Sequence, residues 1–288
     1  MADSGSAEHQ NKLGKIFTNQ PFVGFYLNDG IKYLEMAVQQ NHPEAFYNLF
    51  IALVQAPGGP RDEARGYEYL FKAVELNCAL AQNHLGFCYQ HGQFVVKDLE
   101  KALAYYLLAS GNGLARADHN LATLYFMGQG VPKDYEIAFQ WFEKAAKQGL
   151  HVSQFNLGEM YLFGHGCEAD IDKALDWFTQ AGNQGNHMAL FALANIYFEG
   201  VYIPQDLDKA FSYYEQAAQL GNSHSLLVLG TIYEQGVLKP QDIPKAISMY
   251  RMAAFLGNEE AKAELERLMT PEKPSPDPNG PPPSRFLH

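Results

Sequence analysis

The sequence predicts an all-α fold, an α-solenoid built from stacked helix pairs, on three observations. A leucine recurs every 36 residues, at Leu13, Leu49, Leu85, Leu121, Leu157, Leu193, Leu229 and Leu265, with no insertion or deletion. Each interval carries two stretches of helical apolar spacing. A glycine or asparagine stands where each stretch should end. Two short helices cannot bury their apolar faces alone, so a fixed period of this length marks units that stack into one continuous core.

Residues 114–128, LARADHNLATLYFMG, typify the first helix. Small or apolar residues at 117, 121, 124, 125 and 128 fall at helical spacing, and Gly128 is placed to stop the helix. That glycine column continues as Gly92, Gly164, Gly200 and Gly236. The second helix opens at Asp134, whose carboxylate suits the free N–H groups and positive end of a helix start. Its column reads Asp62, Asp98, Asp134, Asp170, Asp206 and Asp242. Positions 135, 138, 139, 142, 145 and 146 then form one apolar stripe, and Gly149 ends it. Asn41, Asn77, Gly113, Gly185, Gly221 and Gly257 repeat that end. Gly86, Ala122, Gly158, Ala194 and Gly230 follow the leucine and let the paired helix approach. Tyr106, Phe142, Phe178, Tyr214 and Tyr250 fill the wider gaps.

The organisation that follows is a short lead over 1–6, a repeat array over 7–269, and a tail over 270–288. The units fall at about 7–41, 43–77, 79–113, 115–149, 151–185, 187–221 and 223–257, with a capping helix at 259–269. The cap carries Glu260, Lys262, Glu264, Glu266 and Arg267, expected on its outer face. Unit one replaces its loop with TNQPFVGFYLND, residues 18–29, and unit two has QAPGGPRDE in its loop, so both are expected to pack less regularly. The tail PEKPSPDPNGPPPSRFLH is too rich in proline to add to a core, and is expected to be disordered or polyproline II. It is a candidate ligand for a proline-binding domain.

The chain of 288 residues is 47% apolar with a net charge of −11, and has no basic run. Such a surface repels nucleic acid and anionic membranes. No apolar run is long enough to cross a bilayer, and the N-terminal decapeptide lacks the marks of a secretory signal. A cytoplasmic protein is expected, with export from a bacterium to a host cell left open. Cys78, Cys88 and Cys167 have no paired spacing, which points to free thiols in a reducing compartment.

The columns resemble the Sel1-like repeat, a relative of the tetratricopeptide repeat. The pattern A-x-x-x-L-G-x-x-Y-x-x-G, a short loop, then D-x-x-x-A, an aromatic pair and A-A-x-x-G reads here as SQFNLGEMYLFGHGCEADIDKALDWFTQAGNQG, residues 153–185. The resemblance covers about nine-tenths of the chain. It implies a right-handed superhelix of about seven 36-residue units, and a non-enzymatic adaptor or scaffold that holds other proteins together.

In tetratricopeptide-like stacks the first helix of each unit lines a concave groove. The stripe opposite the repeated residues comprises the columns of 116, 119, 120, 123, 126 and 127, which share one side of the helix. Read along the chain, that stripe gives His84, His119, Asn120, Thr123, Phe126, Met127, Phe155, Asn156, Glu159, Leu162, Phe163, Phe191, Asn195 and Phe198 as candidate partner-binding residues. Clustered aromatics edged by amides suit a protein or peptide segment with apolar anchors. The asparagines would bond its backbone. Lys12, Lys15 and Arg116 are the only cations in these columns, too few to clamp an acidic peptide end.

Two other classes are weighed. No His or Cys set has metal-ligand spacing within one helix, so neither metal nor other cofactor is expected. Hydrolases resembling β-lactamases are described among cysteine-rich relatives, but the regular cysteine pair of those repeats is missing here. A self-assembling architectural protein is the third class, since unit one begins near the first residue with little polar capping and offers its face for self-association. The motif Gly128-x-Gly130 before a helix resembles a phosphate loop. Its recurrence after a helix, with Phe94, Tyr202 and Leu238 in the second glycine's column, makes it the bend of a repeat instead.

Overall fold

The computed structural model describes residues 5–18, 23–54 and 62–270. The helices of these residues fall into two compact units, one up to Trp177 and one from Phe178. No strand occurs among the described residues. The first unit contains α1 (Ala7–Thr18), α2 (Val23–Val38), α3 (Pro43–Val54), α4 (Glu63–Glu75), α5 (Ala79–His91), α6 (Leu99–Gly111), α7 (Ala115–Met127), α8 (Tyr135–Lys147) and α9 (His151–Phe163). The division falls within α10 (Ile171–Asn183). The second unit continues with α11 (His187–Glu199), α12 (Leu207–Gln219), α13 (Ser223–Gln235), α14 (Ile243–Phe255) and α15 (Glu259–Met269). In the first unit α1 packs on α2, α3 on α4, α5 on α6 and α7 on α8, in the second α11 packs on α12 and α13 on α14, and within each unit each such pair packs on the next helix. This is the α-solenoid arrangement.

The helix ends follow from the residues placed there. Gly92, Gly128, Gly164, Gly200 and Gly236 all take left-handed conformations, with φ from 65° to 69°, and close the first helices. The second helices end on a second left-handed set, with Asn41 and Asn77 standing in for glycine at φ 56° and 59°. Asparagine tolerates this region better than other residues with a Cβ. Each capping aspartate then does two jobs. The Asp134 carboxylate accepts from Ile137 N at 2.9 Å, and its backbone N–H donates to Tyr125 O at 3.0 Å. The same pair of bonds recurs at Asp98, Asp206 and Asp242. The bend is thus tied to the last turn of the preceding helix, which explains why its length does not vary through these repeats.

The leucine column forms the buried seam, with Leu49, Leu85, Leu121, Leu157, Leu193 and Leu229 all inaccessible or nearly so. The small residue after it has the expected reason. A Cβ on Gly86 would lie 2.8 Å from the Tyr106 ring, and one on Gly230 would lie 2.6 Å from Tyr250.

Two expectations need correction. Residues 23–29 are not loop: α2 begins at Val23, so Asp29 lies inside a helix rather than at its start. Val-Gly-Phe-Tyr-Leu carries enough apolar residues to extend the helix where later repeats have a bend. Glu260 also lies elsewhere than expected. It is 36 residues beyond His224, in the column of Arg116, and lines a cavity against α13. The unit-two loop over 55–61, the lead over 1–4 and the tail over 271–288 lie outside the described residues.

Candidate binding site

The first-helix columns converge on cavities. Thr123, Phe126 and Met127 of α7 meet Asn156 and Glu159 of α9 around a cavity of 180 Å³. Five of the fourteen candidate residues are therefore brought together at one place. Phe142 of α8, Met160 of α9 and His165 in the following bend complete the wall.

Local sequence explains the aromatic part. Phe142 is buried and forms the floor, with the Phe126 ring edge-on at 6.4 Å. His165 stacks on Tyr135 at 4.9 Å and faces Phe126 at 6.2 Å. It sits between Gly164 and Gly166, both left-handed. A Cβ on Gly166 would collide with the Tyr135 carbonyl oxygen, so only glycine lets this bend close on α8 and carry the imidazole to the cavity. The sequence places Phe142 among the gap-filling aromatics and His165 in a bend outside the wall columns. The Gly-His-Gly triplet was the available signal.

A second cavity, of 450 Å³, lies in the other unit. Phe198 of α11, Tyr214 of α12 and Val228, Thr231 and Ile232 of α13 line it, with Val237 from the bend. Each of these stands 72 residues after a wall residue of the first cavity: Phe126, Phe142, Asn156, Glu159, Met160 and His165. The same place in the repeat opens twice, with different chemistry.

The other candidates divide. Phe163 is 56% exposed beside His165, with Leu162 half-buried before it. Phe198 is exposed near Tyr214, at 6.3 Å. Phe155 is half-buried. Phe191 is half-buried against the second unit's core and lies 6.0 Å from Tyr214. His84 sits among the rings of Tyr47, Phe50 and Phe87, and burial lowers its pKa. His119 packs on Phe142 with its Nδ1 2.9 Å from Ser153 Oγ; burial, aided by Arg116, pulls its pKa down to about 4. Two of the three asparagines expected to bond a partner's backbone have internal bonds. Asn120 donates to Asn83 Oδ1 at 2.8 Å, and Asn195 Oδ1 accepts from Tyr214 OH at 2.7 Å. Asn156 faces the first cavity.

A polar cluster stands behind the wall. The fully buried Asp118 accepts from Lys144 Nζ at 2.8 Å, from Gln148 Nε2 at 2.7 Å and from the Ser110 hydroxyl. Ser110 is itself buried and its oxygen also accepts from Lys144. The cluster joins α6, α7 and α8. Among the described residues, no group of three or more His, Cys, Asp or Glu could hold a metal ion, and no helix is long and apolar enough to cross a membrane.

Residues 43–78, 79–114, 115–150, 151–186, 187–222 and 223–258 each match the Sel1 repeat. The chain belongs to the Sel1 repeat family. The helix pair α1–α2 lies before the matched segment. The Sel1 fold commonly mediates protein–protein interaction, and the family is typically non-catalytic. A protective antigen of uropathogenic Escherichia coli with an SLR fold is similar at 30% identity and a TM-score of 0.73, over 93% of this chain and 57% of its own. This Sel1 chain thus spans little more than half of that antigen. A Sel1 repeat protein from Oxalobacter formigenes is 28% identical at a TM-score of 0.69, covering 93% of this chain and 78% of its own. An immunity protein of Pseudomonas aeruginosa shares the fold at 22% identity and a TM-score of 0.50, over 74% of this chain and 81% of its own. No curated protein matches the sequence.

Proposed function

We propose that this Sel1 repeat chain is a non-enzymatic scaffold that holds partner segments on the walls formed by its first helices. The observation that carries this is the recurrence of a cavity at one repeat position in each unit, walled by Phe126 and Met127 in one and by Phe198 and Val228 in the other. These side chains are not needed to complete the leucine seam, which is already buried. An accessible apolar cavity rimmed by amides and hydroxyls is a receptor for a side-chain anchor. The second cavity suits an aliphatic or aromatic anchor, since Leu207, Leu227, Val228, Ile232, Val237 and Leu238 make up half of its lining residues.

Peptides selected from a random display library on the intact chain test the reading. Enriched sequences should share an apolar anchor. Phe198→Ala should weaken their binding by about 2 kcal/mol, the scale of an aromatic hot spot, with the unfolding midpoint little changed. Enriched peptides that bind Phe198→Ala and Val228→Asp as well as the parent would contradict it.

A further inference from the structure

The column that contains Glu159 is satisfied from within at its uncharged polar positions. Thr123 Oγ1 donates to His119 O at 3.0 Å, Asn195 accepts from Tyr214 OH, and Thr231 Oγ1 lies 3.2 Å from Tyr250 OH. The second-helix column that supplies those hydroxyls reads Tyr106, Phe142, Phe178, Tyr214 and Tyr250. Phenylalanine has no hydroxyl, so repeats four and five have no such donor. Glu159 makes no hydrogen bond or ion pair among the described residues, and burial raises its pKa with no opposing contribution.

The surroundings of this carboxylate are specific. It shares the 180 Å³ cavity with the rings of Phe126 and Phe142 and the thioethers of Met127 and Met160. Ring faces attract a cation, and a half-buried carboxylate without a donor attracts it more strongly than an exposed one. The chain's net charge of −11 favours the same sign of ligand. A guanidinium is planar, stacks on aromatic faces and is more weakly hydrated than an ammonium, so it enters such a cavity at lower cost.

We propose that this cavity receives an arginine side chain of the bound segment, its guanidinium on the Glu159 carboxylate and against the Phe126 and Phe142 rings. The proposal rests on the scaffold reading and adds the chemistry of one anchor. No bond is made or broken. Binding supplies the donors that the fold withholds from Glu159.

The test uses the intact chain labelled with methyl-13C methionine and titrated with N-acetyl-L-arginine amide. The methyl signals of Met127 and Met160 should shift saturably, and those of Met249 and Met252, which border a different cavity, should not. N-acetyl-citrulline amide, of similar shape but neutral, should bind at least about tenfold more weakly, and Glu159→Gln should weaken arginine binding by about the same factor. N-acetyl-lysine amide should bind less tightly than the arginine probe. Absence of a saturable shift, equal binding of citrulline, tighter binding of lysine, or an unaffected Glu159→Gln would each overturn the proposal. Because the probes are single residues read at one cavity, failure here leaves the Phe198-dependent peptide result intact, and a failed peptide selection leaves this one readable.

Discussion

Repeats three to five and repeats six and seven share one register, yet they fill the same columns with opposite chemistry. The buried column on the first helix reads Gln82, Asp118 and Gln154, then Leu190 and Leu226. The residue before the first helix reads Cys78, Leu114 and Leu150, then Asn186 and Asn222. The earlier three give no side-chain cap, whereas Asn186 and Asn222 accept from the first turn of α11 and α13. The cavity column reads Phe87, Thr123 and Glu159, then Asn195 and Thr231, so a carboxylate occurs in the earlier region alone. The repeat pattern therefore fixes where a cavity opens, and the columns outside the pattern decide what it can hold. The earlier region joins its helices through buried polar groups, and the later one uses leucine and caps.

Breaking that polar framework should have the largest effect. Lys144→Ala leaves the fully buried Asp118 carboxylate without its cation and should cost about 3–5 kcal/mol in urea unfolding, as removal of one partner of a buried ion pair does, whereas Asp118→Ala leaves a half-exposed ammonium and should cost less. Leu190→Ala at the equivalent position of the second unit should cost about 2–5 kcal/mol through a cavity instead. Substituting both Lys144 and Gln148 should therefore reduce the cost of Asp118→Ala and leave that of Leu190→Ala unchanged.

Next in size is Gly166→Ala. A left-handed residue with a Cβ costs about 1–2 kcal/mol, before the collision with Tyr135 is counted. Its unfolding midpoint should fall, and the His165 ring signal should lose the shielding of the stacked Tyr135. The column tolerates Leu238 in the second unit because the backbone there is not left-handed.

Loss of a cap is smaller. Asn222→Ala should cost about 1 kcal/mol by removing the acceptor 2.7 Å from Ser225 N. Leu114→Asn in the earlier region should add stability of the same order, provided its side chain reaches the first turn of α7.

The smallest effect has the opposite sign. Burial raises the Glu159 carboxyl, so its protonated form is the one the fold favours. That contribution is present below the ordinary glutamate range and is lost as pH rises through the raised value. Glu159→Gln should accordingly be more stable than the parent at pH 7, and the difference should close as pH falls towards 4. A Glu159→Gln chain that is less stable at pH 7 would show that the carboxylate has an internal donor.

Much of this architecture was legible in the sequence because it depends on local rules. The left-handed ends at Asn41, Asn77 and the glycines, the aspartate caps and the helix over 259–269 follow from residue type and spacing alone. The wall columns were legible for the same reason, and Thr123, Phe126, Met127, Asn156 and Glu159 meet as their helical positions require. What sequence reasoning missed depends on partners distant in the chain. Phe142 shows as apolar, but only packing makes it a cavity floor. His165 is carried by how close Gly166 comes to Tyr135. Asp118 lies outside the repeat pattern, and its role shows only once Lys144 and Ser110 are seen beside it. Ser225 Oγ, buried without a partner, is the converse case. Its counterpart Ser153 meets His119, and the equivalent of His119 is Phe191, which cannot bond.

The central claim is that one repeat position makes two receptors of different chemistry. Methyl NMR of the intact chain, titrated in turn with N-acetyl-arginine amide and N-acetyl-leucine amide, tests it most directly. Arginine should move Met127 and Met160 alone, and leucine should move Val228 and Ile232 alone, each saturably. Both probes shifting both sets alike, or neither probe saturating either set, would contradict it.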